Sequence, residues 1–358
     1  MVENAILPTA QSGKGEFMRQ RYIFWFWLPL FASWLLMTAE GPFVSAIINR
    51  MPNEVIMLAA QGIVVALAVT IESPIINLLA TSTAVVKNRS SFQMVRRFTI
   101  HWMIFLTIVS ALLAFTPLFD LLVIDLMGTP LPVAAWVQPG LKIMTFWSAA
   151  IAWRRFLQGV LIHYGLTRRV AWGTFVRLIA SGGTAVILAL TTDWAGVIIG
   201  TTSLMSGVIA EAIFATIAVQ TILQNQLAPD KPDGREGFIT YAELFWFHLP
   251  LAMTSLLALL AQPLVTFSLA RLDNPTLSLA AWPVVFQITL MSRAAAFAWP
   301  EVVIALSKGP QTFAAIRRFT FNMAAFLTLV MITFVLTPLS SFYLFVVQDL
   351  TELVGTLA

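Results

Sequence analysis

Acidic and basic side chains set inside long apolar runs are the residues of this chain whose type could do chemistry: Glu40, Glu72, Arg154, Arg155, Glu211, Arg293 and Glu301. An ionisable group in hydrocarbon is costly, so each is expected to face a partner or a watery cavity. Arg154 shares a helical face with Gln158, and Arg155 shares one with Gly159 and His163, four and eight residues on. Because a guanidinium grips phosphate or carboxylate with two prongs, Arg154, Arg155, Gln158 and His163 are read as contacts for an anionic substrate. A charged helix end touching lipid headgroups would give the same pattern. Glu40, between Thr38 and Pro42 near an expected kink, is the candidate for coupling transport to a proton or cation. A hydrogen bond to a neighbouring helix is the plain structural alternative, and Glu211 and Glu301 invite the same two readings.

Other chemistries have little to stand on. Cysteine is absent, and His101, His163 and His248 show no metal-ligand spacing. There is no phosphate-binding loop, nucleophile elbow or metalloprotease motif, so neither an enzyme nor a cofactor is expected.

The elements that must hold these residues are membrane helices. Hydrophobic residues are 59% of the 358 and charged residues only 11%, against about 45–50% and about 25% in soluble proteins. The net charge of +4 is small and scattered, so nucleic acid is not an expected partner; the lipid bilayer and a small-molecule substrate are. Nine apolar runs reach spanning length, at 23–48, 55–86, 99–127, 141–164, 170–191, 194–222, 241–270, 276–307 and 319–347. The first is too long for a signal-peptide core and is expected to remain in the membrane. Prolines within many runs (Pro29, Pro42, Pro74, Pro117, Pro250, Pro263, Pro283, Pro300 and Pro338) imply kinked helices packed around an interior space.

Basic residues orient the chain. With the N-terminus cytoplasmic, Lys14, Arg19, Arg21, Lys87, Arg89, Arg96, Arg97, Arg168, Arg169, Arg177, Lys231, Arg235, Lys308, Arg317 and Arg318 fall inside, and only Arg50, Lys142 and Arg271 outside, fifteen against three. A multi-pass protein of the plasma (inner) membrane is expected. The Pro-, Gly- and charge-rich stretch at 226–237 reads as an inter-lobe linker, giving a tail at 1–22, a first six-helix lobe at 23–225, a linker at 226–240 and a second lobe at 241–358.

The lobes are copies. Phe24-Trp-Phe-Trp-Leu-Pro-Leu30 recurs as Phe245-Trp-Phe-His-Leu-Pro-Leu251, an offset of 245 − 24 = 221. At that offset Arg50 meets Arg271, Arg96-Arg-Phe-Thr99 meets Arg317-Arg-Phe-Thr320, and Thr116-Pro-Leu118 meets Thr337-Pro-Leu339. Six helices separate the copies, an even number, so the repeats run parallel. Glu72 and Arg293 are then equivalent, 293 − 72 = 221, and are read as a gate pair across the lobe interface, two locally satisfied charges being the alternative. The second copy holds only three helices before Ala358, so the expected fold is an all-α polytopic membrane protein of about nine transmembrane helices with an incomplete second lobe, and truncation of a longer protein is favoured.

The duplication, the Phe-Trp-Phe-x-Leu-Pro-Leu opening of each lobe, and Arg155-Phe-Leu-Gln-Gly-Val-Leu-Ile-His-Tyr-Gly-Leu-Thr-Arg168 resemble the MATE-like multidrug, oligosaccharidyl-lipid and polysaccharide (MOP) exporter superfamily. Gln262-Pro-Leu-Val265 and Leu58-Ala-Ala-Gln-Gly62 are more specifically similar to its progressive-ankylosis branch. The resemblance implies a secondary active exporter working by alternating access, driven by a proton or sodium gradient, with an organic or phosphorylated anion or a drug as substrate. A lipid-linked precursor flippase is the second transport reading. A non-transporting fragment or membrane interaction protein is the alternative of another class.

Overall fold

The computed structural model describes residues 19–225, 227, 240–307 and 309–357; of the stretches named above, Lys14, most of the 226–237 linker, Lys231, Arg235, Lys308 and Ala358 lie outside them. All regular structure among the described residues is helical. In order come α1 (Gln20–Ile48), α2 (Glu54–Glu72), α3 (Leu78–Val85), α4 (Arg89–Phe115), α5 (Leu131–Ile143), α6 (Trp147–His163), α7 (Thr167–Thr191) and α8 (Gly196–Asn225). After the linker follow α9 (Tyr241–Leu259), α10 (Ala261–Leu269), α11 (Pro275–Phe297), α12 (Trp299–Leu306), α13 (Pro310–Leu336), α14 (Pro338–Phe342) and α15 (Glu352–Gly355).

Seven stretches among the described residues are long and apolar enough to span: Glu54–Val85, Arg89–Phe115, Arg168–Thr191, Gly196–Gln224, Tyr241–Leu269, Pro275–Phe297 and Pro310–Leu336. The remaining two of the nine expected runs differ from expectation. The first contributes the shorter apolar stretch Trp34–Ile48 of α1, and the fourth is divided between α5 and α6 by a 3-10 turn at Met144–Phe146.

The breaks have local causes. Pro74 follows α2 in the 3-10 turn Ser73–Ile75, where a missing N–H interrupts the helix ladder. Pro117 and Pro338 hold the preceding threonines extended, Thr116 at φ −120°, ψ 168° and Thr337 at φ −112°, ψ 166°, ending α4 and α13. A π-helical turn then follows in each copy, at Asp120–Leu126 and Tyr343–Val347. The expected runs 99–127 and 319–347 are therefore each a long helix, a proline break and a π turn.

Contacts divide the chain into two compact units: the chain through Leu35 with Ser292–Thr337, and Leu36–Met291 with Pro338–Ala358. In the smaller, Ile23 and Trp27 of α1 pack with Ala295 and Ala298, with Val302 and Leu306 of α12, and with Ile316 and Phe319 of α13. In the larger, α2, α4, α5, α6 and α8 enclose a core that includes Leu58, Phe98, Phe156, Leu161 and Val208.

Neither unit is one copy of the repeat, and the hydrogen bonds show why. In the smaller unit the indole Nε1 of Trp27, on the first helix of copy one, donates to the Ala295 carbonyl beside the break in the second helix of copy two (3.2 Å). In the larger, His248, the repeat equivalent of Trp27, has Nε2 at 2.9 Å from the Pro74 carbonyl, the repeat equivalent of Ala295. A carbonyl accepts only, so Nε2 donates. Thr81 Oγ1 lies 2.9 Å from Nδ1. The arginines repeat the exchange: Arg50 donates to the carbonyls of Val346 and Val347 (3.3 and 3.1 Å), and Arg271 to those of Leu126 and Met127 (2.8 and 3.3 Å). Each first helix thus caps the second- and third-helix breaks of the other copy, supplying donors to carbonyls that the breaks leave without a helical partner.

Equivalent positions also touch. A Cβ built on Gly62 of α2 would lie 2.4 Å from Cγ of Pro283 on α11, and 283 − 62 = 221. Pro283 is rigid and cannot yield. Gly62→Ala is therefore expected to destabilise the protein by about 1–3 kcal/mol, read as a lower melting temperature in detergent; an unchanged melting temperature would mean the two helices are not held this close.

Candidate functional site

The larger unit gathers ionisable side chains from five helices, all buried except Arg155, which is half-buried. Glu40 comes from the C-terminal half of α1, Glu72 from the last position of α2, Arg154 and Arg155 from α6, Arg177 from α7 and Glu211 from α8. Three guanidiniums face three carboxylates, a formal charge of zero.

Glu211, with no exposed surface, is the hub. Its Oε2 accepts from Nη1 of Arg154 at 2.7 Å, and its Oε1 from Nε2 of Gln158 at 2.9 Å. Arg154 and Gln158 lie one turn apart, so a single carboxylate engages both. Arg177 bridges the two other helices: Nε reaches both Glu40 oxygens (3.1 and 2.9 Å), Nη2 also bonds Glu40 Oε2, and Nη1 lies 3.8 Å from Glu211 Oε2. Its guanidinium carbon stands 5.8 Å from the Trp147 ring centre. Glycines admit the carboxylates. A Cβ on Gly207 would meet Glu40 Oε1 at 3.2 Å and Ser181 Cβ at 2.8 Å, and one on Gly173 would meet Glu211 Cγ at 3.5 Å.

The other half of the cluster is less saturated. Glu72 interacts electrostatically first with Arg155, then with Arg154 and Arg177. Its Oε2 is nevertheless buried without a hydrogen-bond partner, as are Nε of Arg155 and Nε of Arg154. The indole N–H of Trp147 is likewise buried without a hydrogen-bond partner.

The residues singled out from the sequence thus fall into three groups. Glu40, Glu72, Arg154, Arg155 and Gln158 converge. His163 lies apart and exposed, its Nδ1 2.8 Å from the Thr83 carbonyl. Arg293 belongs to the smaller unit and is exposed, whereas Glu72 is buried in the larger; the Glu301 side chain lies outside the described residues. Arg177, grouped above with the cytoplasmic basic residues, is instead buried at the centre of the cluster. Removing it leaves the orientation count at fourteen against three. The signal that could have found it is its depth in α7 between Gly173 and Ser181, small residues one turn to either side that leave room for a neighbouring helix and its carboxylate.

No protein-family profile matches the chain, and no curated protein does. Solved structures do. An inward-facing multidrug resistance MATE family transporter of the MOP superfamily superposes with a TM-score of 0.63 at 15% identity, over 91% of this chain and 76% of that one. The MATE multidrug transporter DinF-BH, in a ligand complex, superposes with a TM-score of 0.66 at 13% identity, over 92% of this chain and 75% of that one. The fold is that of MATE transporters, as the sequence resemblance implied.

Proposed function

We propose that this chain is a secondary active transporter of the MATE-like type, embedded in the plasma membrane with its N-terminus cytoplasmic. One observation carries the reading: a neutral set of three arginines and three glutamates, drawn from five helices and all buried except the half-buried Arg155, within a transporter fold. Desolvated charge pairs contribute little net stability against apolar replacements and recur in membranes where ions or protons move.

Glu40 is the coupling residue. When a proton or cation neutralises it, Arg177 loses its main partner and can turn further toward Glu211, already 3.8 Å away. That change transmits the ionic state of α1 to α7 and α8. Arg155, with a guanidinium N–H not committed to any partner, is the primary contact for an organic or phosphorylated anion. Arg154 and Gln158 hold Glu211 and position the cluster from behind. A cationic drug at Glu40 and Glu72 is the second reading, favoured by the multidrug transporters among the structural neighbours.

Proteoliposomes with imposed proton or sodium gradients, screened over organic anions and cationic dyes, test this. Gradient-dependent flux is expected in the wild type and its loss in Glu40→Gln; flux that ignores every gradient overturns the proposal. Glu72 and Arg293 are further proposed to meet in one stage of the cycle. Reversing either charge should then abolish transport and reversing both restore it, and a double reversal as inactive as the singles would remove the pair.

A further inference from the structure

The repeated segment Arg96-Arg-Phe-Thr99 and Arg317-Arg-Phe-Thr320 has no part in the buried cluster, yet it is the most polar match between the copies. The structure treats the two occurrences alike. The four arginines are exposed, and Phe98 and Phe319 are buried. Thr99 bonds back to the Val95 carbonyl (2.8 Å) as Thr320 does to that of Ile316 (3.0 Å), again an offset of 221. None of the four arginines is in an ion pair among the described residues, and no acidic residue occurs from 87 to 107 or from 308 to 330.

Below each arginine pair the same face descends in polarity. One turn on from Arg97 is His101, then exposed Phe105; one turn on from Arg318 is Asn322, then exposed Phe326. Each face borders a cavity. One of about 270 Å³ is lined by Phe98, His101, Trp102 and Phe105 of α4 with Tyr241 and Phe245 of α9, where His101 Nδ1 and the Tyr241 hydroxyl are 2.8 Å apart. The other, of about 540 Å³, is lined by Arg317, Arg318, Phe321 and Asn322 of α13.

Guanidinium, then a hydrogen-bonding side chain, then an aromatic ring at one-turn intervals of roughly 6 Å matches a lipid phosphate, its glycerol esters and the start of its acyl chains. Free phosphate needs only the first. We propose that each copy of Arg-Arg-Phe-Thr is a binding site for an anionic phospholipid, two per chain, in the leaflet that the distribution of basic residues assigns to the cytoplasm.

The test is native mass spectrometry of the purified full chain with added dioleoyl-phosphatidylglycerol or dioleoyl-phosphatidylcholine. Two phosphatidylglycerols retained per chain, with phosphatidylcholine not retained, is the expected result. Arg96→Gln with Arg97→Gln should remove one, Arg317→Gln with Arg318→Gln the other, each site weakening about 30-fold, or fivefold per basic residue. Lys at all four positions keeps the charge and should retain lipid more weakly than wild type but better than Gln, which separates binding from folding. Arg168→Gln, an exposed arginine on the same side outside the motif, should change nothing. The proposal is overturned if the fourfold Gln variant retains as much phosphatidylglycerol as wild type, if Arg168→Gln loses as much as a motif pair, or if millimolar inorganic phosphate displaces the lipid completely.

Discussion

Replacing Glu211 by Gln is expected to destabilise the protein by about 3–5 kcal/mol, the cost of leaving buried charge uncompensated. The substitution keeps the volume and one acceptor, so the loss isolates charge and hydrogen bonding from packing. Glu211 accepts from Arg154 and Gln158 and stands 3.8 Å from Arg177. With an amide there, three arginines would face two carboxylates, and the amide N–H₂ would point a donor at the donor of Arg154 or of Gln158. A melting temperature lower by about 10 °C in detergent is expected, with less retained in membranes on expression. A melting temperature within about 1 °C of wild type would mean that Glu211 does not hold these arginines.

The Arg177 pair gives the second large effect, and here the informative quantity is the double variant. Arg177→Gln leaves Glu40 buried with no cation on it and is expected to cost about 3–5 kcal/mol. Glu40→Gln with Arg177→Gln removes both charges together and leaves two amides able to bond each other. Most of the stability should return, giving a coupling energy near the upper end of the roughly 0.5–3 kcal/mol seen between contacting residues. The double variant should remain folded but without gradient-driven flux, separating the structural role of Glu40 from the coupling role proposed for it. Additive losses would show that the two side chains do not act as a pair.

Much of the fold can be read from the sequence because its determinants are local. Apolar length finds the spans, and the offset of 221 finds the repeat, down to Thr-Pro breaks at 116–117 and 337–338. Where a span bends is harder to read, since hydropathy runs smoothly through Pro117, Leu260 and Ala298 while the helices stop there. The site is legible by halves. Helical spacing puts Arg154 and Gln158 on one face, but it contains nothing about which helix comes to meet that face. Arg177 was hidden for a related reason, because a basic residue eight positions from Arg169 resembles a loop charge until a carboxylate is found beside it. The Trp27 and His248 difference at the centre of the repeated motif has no explanation in sequence alone. Both rings supply an N–H to a carbonyl at the other copy's break, a role either side chain can fill.

That exchange of first helices has a consequence for synthesis. Trp27 and its acceptor Ala295 are 268 residues apart, so at roughly 5–20 residues per second the ribosome needs on the order of 13–54 s to deliver the partner after the tryptophan has emerged. Through that interval the N-terminal half of α1 sits among lipids or an insertase, its tryptophan N–H without the carbonyl it will cap. His248 finds Pro74 already made. The N-terminal half of α1 is therefore locked only after α11 has been made, and a variant that weakens α1 packing should be most exposed to quality-control proteolysis while the chain is still being made.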